Sequence, residues 1–408
     1  MRVLITSPVF PPDLGGPAVY VPSFARFLVE RGHTVEVVAF CSDPAPKGHP
    51  FPVVSIPPRA LPLRYLAAFR AVWRAAKHAD VVYVNEHLAL LHVLAARLRG
   101  KPVMIRIMVD GAWEIAHRKG WCGDDDIVTF QGKSYGWKVA LTRALQRRWW
   151  RWSAHVIACS EFLRQILVQS YGVPADKVET VFNAYHGPVA DSVRETQAEA
   201  RAVLGLAPEK RYLLTICRLM VWKRVDGIID ALARLPEHVE LLVAGDGDML
   251  EPWREHARAR GLAHRVKFLG NVPHARIPSY VRAADVFVLN SRYEGLSHTL
   301  LEVLSLGTPI VASNVCGNPE VVADGVNGWL VDPFDDAELA ERVRTLLDDP
   351  ALAQRFVRAG LARRADFDRT TTFTRVEAAL ARCISGASES ASDAARARTT
   401  DQERPRSA

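Results

Sequence analysis

An α/β fold of two domains, each built on a parallel sheet, is predicted by three observations. Short apolar runs alternate with amphipathic helical stretches along most of the chain, the pattern of βαβ units. That alternation breaks off near 185–191 and then restarts. At 408 residues, the chain also exceeds what one ordinary core organises, so two domains of comparable size are expected.

In the first half, strand-like runs lie at Val3–Thr6, Thr34–Phe40, Val53–Ile56, Val81–Val84, Val103–Met108, His155–Ala158 and Val178–Phe182. Sheets of this kind bind ligands beyond the carboxyl ends of their strands. The loop after the first run, SPVFPPDLGGPAVYV, holds Gly15 and Gly16. Without side chains they let a phosphate approach the backbone, and a plain turn is the alternative. At the end of the fifth run stands Asp110, a candidate for orienting or deprotonating a substrate hydroxyl, ahead of Glu114 and His117. A turn cap would explain Asp110 as well.

The polar loop CGDDDIVTFQGKSYG carries Asp124, Asp125 and Asp126, acids of the kind that hold a divalent ion. Three loop acids without companions are more often simply solvated, so no metal site is expected. A helix is predicted from Gly136 to Trp152, where Arg143, Arg147, Arg148 and Arg151 accompany Trp149, Trp150 and Trp152. Arginines beside tryptophans suit a membrane interface. Leu141, Leu145 and Trp149 recur at every fourth position, which predicts that at least one face is core. Ser160 is the expected cap of the next helix.

The second half repeats the pattern with runs at Tyr212–Cys217, Val239–Ala244, Val266–Leu269, Val286–Leu289, Ile310–Ala312 and Trp329–Val331. Arg218 ends the first of these, and Lys223 is expected to open the helix of VWKRVDGIIDAL. Two cations so placed would stabilise charge developing on a departing diphosphate. GDGDM, Gly245–Met249, lacks the third glycine of a dinucleotide fingerprint, so a dehydrogenase is disfavoured.

The most informative stretch is Asp285–Glu320, DVFVLNSRYEGLSHTLLEVLSLGTPIVASNVCGNPE. It reads as strand, polar turn and a helix over about Ser297–Leu306, whose first NH groups and dipole favour a phosphate. Gly295, Leu296, Ser297, His298 and Thr299 form that helix start, with Glu294 just before it and Glu302 inside it. Seven residues separate the two glutamates. One carboxylate can thus reach beyond the phosphates and the other beside them, where a nucleotide sugar has hydroxyls. Gly317 and Asn318 open a further helix start, as ligand contacts or as a plain turn.

With this spacing the run EGLSHTLLE resembles the donor site of the retaining glycosyltransferase family four, whose fold is GT-B: two Rossmann-like domains with parallel sheets facing across a cleft. RGHTVEVV, GTPIVAS and the run from Phe268 into the donor motif extend the resemblance, with Gly270 and Val272 to His274 expected to border the base. The resemblance implies that Gly15 and Gly16 face the donor diphosphate and that Arg218 and Lys223 hold it. It also implies that Glu302 binds the ribose and Glu294 the sugar. Members commonly carry a histidine near the reacting sugar where this chain has Val109, Asp110 and Gly111, which leaves the acceptor side open.

The implied domains are 1–186 for the acceptor, 187–366 for the nucleotide sugar, a crossover helix over 367–384 on the first domain, and a disordered tail over 385–408. The implied reaction moves a sugar from a nucleoside diphosphate, UDP favoured and GDP-mannose next, to a hydroxyl of a glycan, a glycolipid or a small molecule. A sugar-nucleotide epimerase, a phosphorylase or a non-catalytic binding subunit are the alternatives. No separate cofactor, metal or nucleic-acid partner is expected, the nucleotide sugar being a substrate.

Composition agrees with a globular chain, 49% hydrophobic and 24% charged. Its formal charge of +7 belongs to the folded body, because the charges from 385 onward cancel, and it suits an anionic ligand or lipid surface. Six scattered cysteines without a CxxC pair read as reduced thiols. MRVLITSPVF reads as a first strand rather than a signal peptide. The expected location is the cytoplasm, or a membrane surface as a peripheral protein.

Overall fold

The computed structural model describes residues 1–13, 15–58, 60–85, 89–185, 187 and 195–402, those at 61, 62 and 388–402 by backbone alone. The predicted apolar runs all become strands, and the chain divides into two units, Met1–Val181 with Thr370–Ala408, and Phe182–Arg369.

The first unit contains β1 (Arg2–Ser7), β2 (Thr34–Phe40), β3 (Val53–Ile56), β4 (Val81–Val84), β5 (Val103–Ile107), β6 (His155–Ala158) and β7 (Val178–Thr180). Their order is β3-β2-β1-β4-β5-β6-β7, with every pairing parallel. All four residues of β4 are buried, as expected for a parallel strand covered on both faces. The helix that starts at Arg369 lays Phe373, Val376, Ala379, Leu380 and Cys383 into the same apolar cluster as Val3, Ile5, Phe24 and Leu28. It runs to Gln402, described by backbone alone from 388, and of the tail expected to be disordered only 403–408 lie outside the described residues.

The second unit contains β8 (Arg211–Ile216), β9 (Val239–Ala244), β10 (Val266–Gly270), β11 (Val286–Leu289), β12 (Ile310–Ser313) and β13 (Trp329–Val331), again all parallel, in the order β10-β9-β8-β11-β12-β13. It begins a few residues before the predicted boundary at 186. Phe182 leaves β7 to pack on Phe367, ring centroids 5.6 Å apart, and Asn183 Nδ2 donates to the Leu296 carbonyl at 2.9 Å. In each sheet the strand order reverses once, between β1 and β4 and between β8 and β11. Adjacent loops diverge at such a reversal and leave a crevice.

The helix Gly136–Trp152 corrects one expectation. Its buried residues are Val139, Gln146, Trp149 and Trp150, whereas Leu141 and Leu145 are 51% and 39% exposed. Positions four apart drift around a helix of 3.6 residues per turn, so of the three only Trp149 reaches the core. Gln146 is drawn inside because its side chain bonds both to Asp110 and to the Ala112 NH.

Candidate active site

The loops that leave β8 and β11 at the strand-order reversal carry most of the predicted site residues. Beyond β8, the chain passes Cys217 and the exposed Arg218, then turns through Val221–Lys223. Lys223 therefore sits in a 3₁₀ turn ahead of the helix Val225–Leu232, not at its first position. Arg224 makes the junction with φ of 46°, a left-handed conformation that costs a non-glycine residue about 1 kcal/mol. Its guanidinium donates to the Pro333 carbonyl at 2.7 Å and holds the turn in place.

Beyond β11, Ser291 and Glu294 are buried in the loop that runs into the helix His298–Leu306. Ser297 caps this helix by accepting the Leu300 NH, so the NH groups just ahead of Leu300 stay directed out of the helix start. Gly295, Leu296 and Ser297 are buried there, Thr299 is half-buried and His298 is exposed. Lys223 Nζ donates to Glu294 Oε1 at 2.5 Å, and Ser291 Oγ donates to the same oxygen at 2.8 Å. The Arg292 NH donates to the Trp222 carbonyl at 2.7 Å, so backbone as well as side chains tie the two loops together.

Burial alone would lower the Lys223 ammonium's pKa, but the charge of Glu294 and a smaller effect of Cys217 outweigh it and hold it above its ordinary value. Lys223 is thus a cation across the physiological range. Burial also pushes the Cys217 thiol up to about 12, with Lys223 pulling it down and Glu294 pushing it up. A thiol so held is no nucleophile.

Glu302 lies inside the helix, its carboxyl raised above the ordinary value by burial and drawn back by His274, whose Nδ1 is 3.8 Å from Oε1. Among the described residues no donor reaches this buried Oε1. The Tyr185 phenol is pushed upward by burial and by the Glu302 charge. Within one unit, then, the Lys223 ammonium meets the Glu294 carboxylate ahead of a helix that carries Glu302, with Arg218 on the loop that leaves β8.

Three glycines shape the loops around these residues by close approach. A Cβ on Gly245 would stand 1.9 Å from the Cys217 carbonyl oxygen, and one on Gly317 would stand 2.1 Å from the Gly295 oxygen. Gly227 is crowded by Asn290 Nδ2 at 2.6 Å. The GDGDM turn is therefore a packing device against the exit of β8. Gly317, whose NH donates to the Glu294 carbonyl at 3.0 Å, seats the donor-motif loop. Gly227, a glycine inside the helix Val225–Leu232, is the one of the three that the sequence did not single out.

The first unit gives different answers. Gly15 and Gly16 lie at the start of the helix Gly16–Glu30, after β1, where Gly15 has φ of 157° and Gly16 has open space in place of a side chain. Asp110, predicted as a catalytic candidate, is wholly buried and caps the helix Gly111–Arg118. Its two oxygens accept from the Ala112 and Trp113 NH groups, from Gln146 and Gln131, and from the Tyr171 hydroxyl at 2.8–2.9 Å. A carboxylate so fully engaged has neither the exposure nor a free lone pair for a substrate proton, which corrects that assignment. Asp125 is occupied by Lys133 and Tyr135, and Asp126 caps the helix Ile127–Gly132. Among the described residues no cluster of three or more potential metal ligands is present.

This arrangement has known counterparts. The family pattern described as Glycosyltransferase Family 4 matches residues 14–186, and that described as Glycosyl transferases group 1 matches 196–363. D-inositol 3-phosphate glycosyltransferase 1 of Catenulispora acidiphila is 30% identical over 94% of this chain and 95% of its own length. The chain belongs to glycosyltransferase family four. The glycogen synthase of Mycobacterium tuberculosis is 29% identical to this glycosyltransferase, over 92% of this chain and 93% of its own. Among solved structures, Anabaena HepE with UDP and glucose superposes with a TM-score of 0.75 at 24% identity, covering 93% of this chain and 99% of that one. Sucrose-phosphate synthase from Thermosynechococcus elongatus gives 0.76 at 20% identity, covering 94% and 99%. The glycosyltransferase therefore has the GT-B fold, and no helix among its described residues is long and apolar enough to cross a membrane.

Proposed function

We propose that this glycosyltransferase moves a sugar from a nucleoside diphosphate to an acceptor hydroxyl with retention at the anomeric carbon, using the crevice at the exits of β8 and β11 as its donor site. The observation that carries the reading is the buried contact between Lys223 and Glu294, beside the helix start at Ser297 and with Glu302 further along the same helix. As the bond from anomeric carbon to diphosphate breaks, negative charge gathers on the leaving oxygens. Lys223, Arg218 and the NH groups of Leu296–Thr299 offset it, and preplaced donors of this kind need no reorganisation during the reaction. Glu294 accepts from hydroxyls of the sugar, and Glu302 from those of the ribose.

The acceptor oxygen bonds to the anomeric carbon on the face the diphosphate leaves, and its proton passes to a leaving phosphate oxygen. Neither Cys217, held as a thiol, nor Asp110, fully engaged as a cap, offers a protein nucleophile or base. UDP is the favoured donor nucleotide, in keeping with the UDP and glucose bound by HepE, and GDP-mannose is next. The relatives' names point to a glycan or a phosphorylated polyol as acceptor; with a lipid-linked acceptor, Arg143–Trp152 would meet the membrane. The test is incubation of the purified chain with UDP-glucose and GDP-mannose against a panel of such acceptors, with NMR of the product's anomeric proton. An α-linked product from an α-linked donor is expected. An inverted product, or an epimerised donor without transfer, contradicts the reading.

A further inference from the structure

The helix Gly136–Trp152 carries Lys138, Arg143, Arg147, Arg148 and Arg151 and not one acidic residue. Its buried face is accounted for by Val139, Gln146, Trp149 and Trp150. The opposite face is open. There Trp137, Leu141 and Leu145, four residues apart, are 72%, 51% and 39% exposed and form one apolar stripe. Alongside it runs a cavity of about 810 Å³ walled by Arg143, Arg147, Arg148 and Arg151 from the helix and by Ser170 and Tyr171 beneath.

The wall is built rather than incidental. Arg143 is held by the carbonyls of Phe130 and Gln131. Arg148 stacks on the Trp152 ring, 4.5 Å from its centroid. Gly172 leaves room for Arg147, since a Cβ there would lie 3.1 Å from its Nη2. Among the described residues no acidic side chain pairs with Arg147, Arg148 or Arg151. Guanidinium groups in this number attract phosphates.

We propose that this face docks on an anionic lipid bilayer, with Arg147, Arg148 and Arg151 over phospholipid headgroups and Trp137, Leu141 and Leu145 inserted at the headgroup boundary. Charge alone would fit any polyanion. The exposed leucines decide between them, because a base or a sugar face can stack on Trp137 but offers Leu141 and Leu145 no apolar environment, whereas the bilayer boundary takes the whole stripe. The surface would bring the transferase to acceptors held in the membrane and in that sense rests on the proposed function. Its test needs no donor or acceptor, so the two readings can fail separately.

The experiment is co-sedimentation of the full chain with vesicles of phosphatidylcholine, alone or with phosphatidylglycerol, at physiological salt. Binding to the mixed vesicles and little to the neutral ones is expected. The triple variant R147E/R148E/R151E should lose roughly a hundredfold or more in affinity, at the scale of one surface charge contact each. W137E/L141E should also lose at least tenfold. All these side chains are exposed, and circular dichroism spectra matching wild type confirm the fold. Equal binding to both vesicle types, or variants that bind like wild type, overturns the proposal. It is likewise overturned if only the arginine variant loses binding and soluble polyphosphate competes fully, since the site would then serve a soluble polyanion.

Discussion

Lys223 Nζ lies 2.5 Å from Glu294 Oε1, and this contact joins two loops that leave the sheet on either side of its strand-order reversal. Both side chains are largely buried, at 16% and 11% exposure, so neither is replaceable without consequence for the other. Replacing Lys223 by Ala is expected to lower kcat by roughly a hundredfold or more, the scale for losing a preorganised donor to a leaving anion. Steady-state kinetics check this, with the melting midpoint measured alongside because an unpaired buried carboxylate also destabilises. A kcat within threefold of wild type would remove Lys223 from the machinery.

Glu302 gives a pH signature. Its folded carboxyl titrates above the ordinary value, mainly through burial, with His274 opposing and the Tyr185 phenol beside it. The folded chain therefore holds this proton more tightly than the unfolded one. Its contribution to stability is present below the ordinary carboxylate range and is lost as pH rises through the raised value. Nucleotide binding runs the other way, because accepting ribose hydroxyls favours the ionised form. Calorimetry in buffers of different ionisation enthalpy should show proton release on UDP binding and weaker affinity on acidification, both abolished in Glu302→Gln. Affinity independent of pH in the wild type would count against the ribose assignment.

Gly317→Ala tests the seat of the donor loop. The backbone angles at Gly317 suit any residue, yet the new Cβ would stand 2.1 Å from the Gly295 oxygen, so the loop must move. A shift approaching 1 Å at such a site costs roughly a hundredfold in kcat/KM. Thermal stability should change far less than activity, and a variant with normal kcat/KM would show that the loop does not seat the donor.

Asp110→Ala separates a cap from a catalyst. Loss of the cap and of an acceptor for Gln131, Gln146 and Tyr171 should cost about 3 kcal/mol of stability. Activity per folded molecule at low temperature should stay near wild type. Undiminished stability with lost turnover would restore Asp110 as a catalytic group.

The strands were legible because buried parallel strands are apolar on both faces, and two helix starts because Ser160 announces a cap and an apolar-periodic stretch follows Ser297. Arg218, Lys223, Glu294 and Glu302 stood out in the sequence as candidate charges. The pairing of Lys223 with Glu294 was not, since 71 residues separate them and only the order of strands brings them together. Asp110 was misread for the same reason: Gln146 and Tyr171, the partners that make it structural, come from distant segments. Leu141 and Leu145 show the converse, a periodic stripe whose outward direction periodicity alone does not reveal.

The central claim is that the exits of β8 and β11 hold a nucleotide sugar, and thermal unfolding with and without UDP-glucose and UDP tests it most directly. A ligand at a hundred times its Kd stabilises the fold by about 2.7 kcal/mol, so the wild-type midpoint should rise clearly. Lys223→Ala and Glu302→Ala should each lose most of that rise, whereas R147E/R148E/R151E should keep it. A rise of the same size in all of these proteins would place the ligand elsewhere and contradict the account.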